Sequence, residues 1–300
     1  MFIVLIPIFL FDTAKAKVCD TSEIETNLIT PKTENKIDYI NLGNNLIRAE
    51  KWNEAIKAFC ASINAKFQVP VALNNLAHVY SRLERNEDAV EALIQAIDLK
   101  KQDNKLEVNL ATAYYNLGNS YLTMKQSANA LEALKNSVGY DPNNVRALND
   151  LGLAYLDLKQ FSESISSLKR AVELDKNFDV GFYNLGTVYY ETGQFKQARE
   201  SFSEAIRLNP NFVEAYFFLG TTQFGLNKPD DAIKLFEKAI ELKPDFAQAH
   251  YNLSLAFMVQ KNTDSSLKHY KILKALDKDM ANLLLQKLQS DKVIVMNRSK

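Results

Sequence analysis

One short word returns along this chain at a fixed interval. YINLG, LNNLA, YYNLG, LNDLG, YNLG, FFLG and YNLS place leucines at Leu42, Leu76, Leu117, Leu151, Leu185, Leu219 and Leu253. The steps between them are 34, 41, 34, 34, 34 and 34 residues. A fixed period of this size marks a stack of like units, each too small to bury an apolar face alone. It divides the chain into seven units: 36–69, 70–103, 111–144, 145–178, 179–212, 213–246 and 247–280. The one long step leaves residues 104–110 as an insertion.

Numbered from one, the positions within a unit have helical spacing. Position 8 is Gly43, Ala77, Gly118, Gly152, Gly186, Gly220 and Ser254, and position 20 is Ala55, Ala89, Ala130, Ser164, Ala198, Ala232 and Ser266. Glycine in a helix interior costs ~1 kcal/mol against alanine, so its recurrence calls for a packing reason. Two helices crossing closely at positions 8 and 20 supply it. Bulky residues fill position 24: Phe59, Leu93, Leu134, Leu168, Phe202, Phe236 and Tyr270. Pro142, Pro210 and Pro244 fall at position 32, where they end the second helix.

This pattern resembles the tetratricopeptide repeat, a helix-turn-helix unit of 34 residues. Units five and six carry it most fully, through Leu185, Gly186, Ala198, Phe202, Ala205 and Pro210, and then Leu219, Gly220, Ala232, Phe236, Ala239 and Pro244. The resemblance implies an all-α solenoid, a right-handed superhelix with the first helix of each pair on its concave side. Residues 281–300 are expected to form a capping helix and tail, with the helix over 281–296. The insertion and the segment after it, EVNLATAYYNLG, are expected to be helical and to lengthen the helices at the junction of units two and three.

The N-terminus reads as an address. Residues 2–11, FIVLIPIFLF, are an unbroken apolar run, and Ala14-Lys15-Ala16 fits a signal-peptidase site. Ten apolar residues are too few to cross a hydrocarbon core of ~30 Å. Residues 1–16 are therefore expected to be a cleaved signal peptide, which implies a periplasmic or secreted protein. An uncleaved anchor and a mis-assigned start remain open, and membrane contact would come only through an uncleaved segment. Residues 17–35 read as a linker. Cys19 and Cys60 either form one disulfide in an oxidising compartment or serve as a disordered residue and a small packing residue.

Charge and motifs exclude several functions. Lys and Arg number 36 and Asp and Glu 36, and that balance argues against nucleic acid, whose binders need a basic excess. The sequence carries no HExxH, nucleophile elbow or P-loop. No enzyme activity, metal, cofactor or small-molecule substrate is expected. His250 falls where other units have Tyr39, Leu73, Tyr114, Leu148, Phe182 and Tyr216, so it is expected to be a packed histidine.

The resemblance directs attention to positions 2, 5, 6, 9, 12 and 13, which face the groove in this family. Position 6 holds Asn41, Asn75, Asn116, Asp150, Asn184, Phe218 and Asn252. An asparagine can pair with a peptide group of any sequence, because it offers both donor and acceptor. The ladder is either a peptide grip or a plain consensus feature. Tyr183, Phe217, Phe218 and Tyr251 add apolar anchors, or else pack between units. No lysine stands at position 5, so the carboxylate clamp of chaperone-binding family members is not expected. The leading reading is a non-enzymatic adaptor that binds an extended peptide segment of a protein partner in the groove. The alternative is a structural scaffold of an envelope or secretion assembly that uses its convex face or ends.

Overall fold

The computed structural model describes Val18, Cys19 and residues 38–298, with side chains to Gln289. The expected signal peptide and most of the expected linker lie outside these residues. Among the described residues there are fifteen helices and no strand. They belong to two compact units, one ending at Lys159 and the other beginning at Gln160.

The first unit holds α1 (Tyr39–Arg48), α2 (Trp52–Asn64), α3 (Val69–Arg82), α4 (Asn86–Gln102), α5 (Leu110–Thr123), α6 (Ser127–Tyr140) and α7 (Val145–Asp157). The second holds α8 (Phe161–Leu174), α9 (Asp179–Glu191), α10 (Phe195–Leu208), α11 (Val213–Gly225), α12 (Pro229–Leu242), α13 (Ala247–Val259), α14 (Thr263–Leu276) and α15 (Lys278–Arg298). Within each unit a helix packs on its sequence neighbours, and first helices also touch the first helix of the next pair. Each unit is therefore a stack of helix pairs.

The small residues do what their recurrence implied, with one correction. A Cβ added at Gly43, Gly118, Gly186 or Gly220 would meet the side chain at position 24 of its own pair. The closest approaches are 2.5 Å to Phe59, 2.5 Å to Leu134, 2.7 Å to Phe202 and 2.7 Å to Phe236. The glycine thus makes room chiefly for a ring or a leucine. Positions 8 and 20 do meet in the last pair, where Ser254 Oγ lies 2.6 Å from Ser266 Oγ and donates to the Ser266 carbonyl at 3.0 Å. Position 7 shows the dependence on neighbours. Leu76, Leu117, Leu185, Leu219 and Leu253 are buried, whereas Leu42, in the first pair, is 36% exposed.

One recurrent feature escaped the sequence reading. Position 15, the turn between the two helices, has a positive φ at Glu50, Glu84, Lys125, Lys159, Gly193, Asn227 and Lys261. Only one of the seven is glycine. The turn ends the first helix by a paired closure of its last carbonyls. Gln126 N–H, for example, reaches the Tyr121 carbonyl at 2.8 Å while Lys125 N–H reaches that of Leu122 at 2.9 Å.

Both ends of the array are covered. Val18 is 1% exposed within the first core, and its carbonyl accepts a hydrogen bond from the Tyr80 hydroxyl. Cys19 is disulfide-bonded to Cys60 on α2. At the other end Ala281, Leu284 and Leu288 of α15 are buried against Leu273. This helix begins three residues before the expected 281, because Asp277 Oδ1 accepts from Met280 N–H at 2.9 Å and caps it. The insertion also departs from expectation. Residues 107–109 are not helical, and the Asn109 side chain caps α5 by accepting from Thr112 N–H at 3.1 Å. Lengthening falls on α4, which has 17 residues. Lys100 Nζ then donates to the carbonyls of Asn104 and Leu106 at 2.6 and 2.7 Å, tying the inserted loop to that helix.

Two measurements check this packing. Gly186→Ala should destabilise by about 1–3 kcal/mol through overpacking against Phe202. Adding Phe202→Leu should restore part of the loss, since Ala77 and Leu93 coexist at these positions in the second pair. Thermal melts with no recovery in the double variant would contradict the assigned contact. Lys125→Gly should stabilise by about 0.5–1 kcal/mol, because relief of a left-handed lysine (~1–2 kcal/mol) exceeds the added chain entropy of glycine. A denaturation midpoint that falls in this variant would refute it.

Candidate peptide-binding surface

In the first unit, α1, α3 and α5 bring four amides into one chain. Asn116 Nδ2 donates to Asn74 Oδ1 at 3.4 Å, Asn74 Nδ2 to Asn75 Oδ1 at 3.4 Å, and Asn75 Nδ2 to Asn44 Oδ1 at 3.0 Å. All four residues are half-buried. The position 6 asparagines thus link successive first helices through a partner at position 5 or 9. Each carboxamide can make four hydrogen bonds, and the chain uses one or two of them. Asn41 stands apart: it is exposed, and its backbone N–H is capped by Asp38 at 3.0 Å. Asp150 takes the equivalent place on α7, accepting from Asn149 Nδ2 at 2.9 Å. Burial pushes its carboxyl above the usual range, against the pull of hydrogen bonds from Asn149, Tyr115 and Asn119 and of the Arg146 charge.

In the second unit the surface is aromatic. Phe218, on α11, sits edge-on to Tyr183 and Tyr190 of α9, with centroids 5.8 and 6.0 Å apart. Tyr183 also packs on Phe212 at 4.9 Å. Phe217 packs on rings of its own pair, 5.9 Å from Phe236 and 5.0 Å from Phe246, and on the cluster that includes Leu253 and Ala256 of the next. Tyr251 and Met258 pack against the buried leucines of α15, and Lys287 Nζ lies 5.9 Å from the Tyr251 ring. Much of this aromatic area therefore holds neighbouring pairs together. Asn184 is buried at 8% exposure, and Asn252 donates to Thr221 Oγ1 at 3.4 Å. The sequence could not separate these uses, because position 5 faces both the groove and the next pair.

His250 is buried, as its position implied, and it has a partner the sequence did not show. Its Nε2 lies 2.9 Å from the Pro244 carbonyl, which can only accept, so Nε2 carries the proton. His269 Nδ1, 3.0 Å away, then donates to His250 Nδ1. Burial, the neighbouring His250 and the Lys268 charge push the His269 pKa down to about 4.

Comparison with known proteins places the chain. Tetratricopeptide repeat models match residues 68–139 and 219–281, and a TPR repeat model matches 152–193 and 186–227. The chain belongs to the tetratricopeptide repeat family. No curated protein matches it by sequence. A crystal structure of the MamA protein is similar at 30% identity and a TM-score of 0.52, over 58% of this chain and 94% of that one. YrrB, described as a TPR protein with an unusual peptide-binding site, matches at 25% identity and a TM-score of 0.54. That match covers 66% of this chain and all but a little (99%) of YrrB. The C-terminal part of a TPR repeat-containing protein from Cytophaga hutchinsonii shares the fold at 19% identity, with a TM-score of 0.63 over 80% of this chain and 95% of the other. The fold is an all-α TPR solenoid.

The histidine pair predicts a pH dependence. An unfolded histidine takes up a proton near pH 6.5, whereas folded His269 does so only near 4. Between these values the unfolded chain binds more protons, so stability falls as acid is added across that window. Protection factors in α13 and α14, taken relative to the intrinsic exchange rate at each pH, should fall from pH 6.5 to 4, and His269→Gln should flatten the change. An identical slope in the variant would remove the pair as its cause.

Proposed function

We propose that this protein is a non-enzymatic adaptor that holds an extended segment of a partner protein along its first helices. The amide chain Asn116–Asn74–Asn75–Asn44 carries the reading. Its members are held in place by one another, so a ligand need not pay to order them, and unspent donors and acceptors suit a peptide backbone. Family membership and the likeness to YrrB, a TPR protein with an unusual peptide-binding site, support the same reading. Amides alone are insufficient. Each hydrogen bond adds ~0.5–1.5 kcal/mol net, and a micromolar complex needs about −8 kcal/mol. The half-buried rings of Tyr183, Tyr190 and Phe218 are the candidate apolar anchors in the second unit.

The working compartment belongs to this proposal. A Cys19–Cys60 bond favours an oxidising environment, consistent with an export signal over residues 1–16 and a periplasmic or secreted protein. No helix among the described residues is long and apolar enough to cross a membrane.

Affinity capture from the native source, followed by mass spectrometry and titration of the captured partner, tests the surface. Asn75→Ala with Asn116→Ala, checked for an unchanged melt, should weaken the partner at least fivefold, the loss expected from about two hydrogen bonds. Equal retention by wild type and variant would overturn the proposal and favour a scaffold that works through its convex face or ends.

A further inference from the structure

An open groove runs between the second helices of the second and third pairs, and none of the four residues of the amide chain lines it. Its walls are α4 and α6 and its floor is α5, so it lies wholly within the first unit. Two adjoining hollows form it, of about 400 and 550 Å³, sharing Ile94, Tyr121 and Asn129. A third, at Glu84–Asp88 and Met124, continues it. The α4 wall is lined from Glu87 to Lys101, roughly 21 Å at 1.5 Å per residue.

The lining has two chemistries. Its apolar part lies in the second hollow, where Val90, Tyr121 and Met124 accompany Ile94, which stands 40% exposed on the wall. The rim carries six carboxylates, Glu84, Glu87, Asp88, Glu91, Asp98 and Glu132, against two basic residues, Arg85 and Lys101. Both basic residues are already engaged. Arg85 pairs with Asp88 at 2.7 Å and lies 4.4 Å over the Tyr80 ring, and Lys101 Nζ lies 5.6 Å over the Tyr114 ring. Gln95 adds a further polar group to the wall, and its Nε2 has no hydrogen-bond partner. The chain as a whole is neutral, so this acidic excess is local.

We infer that this groove docks a basic amphipathic helix of a partner protein. A helix of about 14 residues spans the lined length. Its apolar stripe would meet Ile94 and Tyr121, and lysines or arginines flanking that stripe would face the carboxylate rims. Opposed potentials would speed encounter and fix the helix direction, while Ile94 and Tyr121 supply apolar contact. Such a partner engages the second helices and leaves the amide chain free, so one molecule could hold two segments at once.

Fluorescence anisotropy with designed peptides tests this on the full chain near physiological salt. The probe is a labelled 15-residue helix with leucines on one face and lysines on the other. Its controls are a glutamate-for-lysine version and a scrambled peptide of the same composition. The lysine helix should bind at least tenfold tighter than either control. Ile94→Ser, and separately Glu87→Gln with Asp98→Asn and Glu132→Gln, should each weaken it at least tenfold while the melt is unchanged. Asn75→Ala with Asn116→Ala should leave it unaltered, which separates this groove from the proposed peptide surface. Absence of binding, equal binding of a control, or affinity untouched by the groove variants would overturn the inference.

Discussion

The contact between a small residue at position 8 and a bulky one at position 24 is what the rest of this structure depends on. It lets the first helix approach the second closely enough for the ring of Phe59, Phe202 or Phe236 to lie fully buried against helix backbone. A glycine in the helix costs ~1 kcal/mol, while burying an aromatic or leucine side chain contributes ~1.5–3 kcal/mol. The exchange is favourable only where the partner is large. It sets the pair geometry that presents positions 5, 6 and 9 of neighbouring first helices to one another, where the amides meet.

Stacking then makes every pair depend on its neighbours, and the ends must be treated differently. Leu42, on the first described pair, is 36% exposed, and Val18 and the Cys19–Cys60 bond lie against the first core. At the far end α15 supplies leucines in place of an eighth pair. Terminal elements of this kind are what a nearly one-dimensional fold requires, since interface energy between neighbours carries much of its stability.

The period made the helix pairs, the insertion and the last helix legible, because position 7, 8, 20 and 24 residues answer to packing that repeats. What stayed hidden answers to local or singular causes. Position 15 is left-handed in every pair, yet it holds Glu, Lys, Gly or Asn, so composition there carries no turn signal. The disulfide depended on where Val18 settles, which no periodicity records. The asparagines were visible, but their partners lie 31 and 42 residues away across neighbouring helices, as for Asn75 with Asn44 and Asn116 with Asn74. Tyr251 could be placed on a first helix, though not under α15, because contact with a cap leaves no mark at its own position.

Nearest-neighbour stacking is open to test by hydrogen exchange resolved helix by helix. Leu284→Ser opens the contact between α15 and Leu273. In a stack, protection should be lost in α13 and α14, fall less in α12, and stay unchanged in α9 and α10. Uniform loss through α9–α14 would show one cooperative core instead of a stack, and would contradict it.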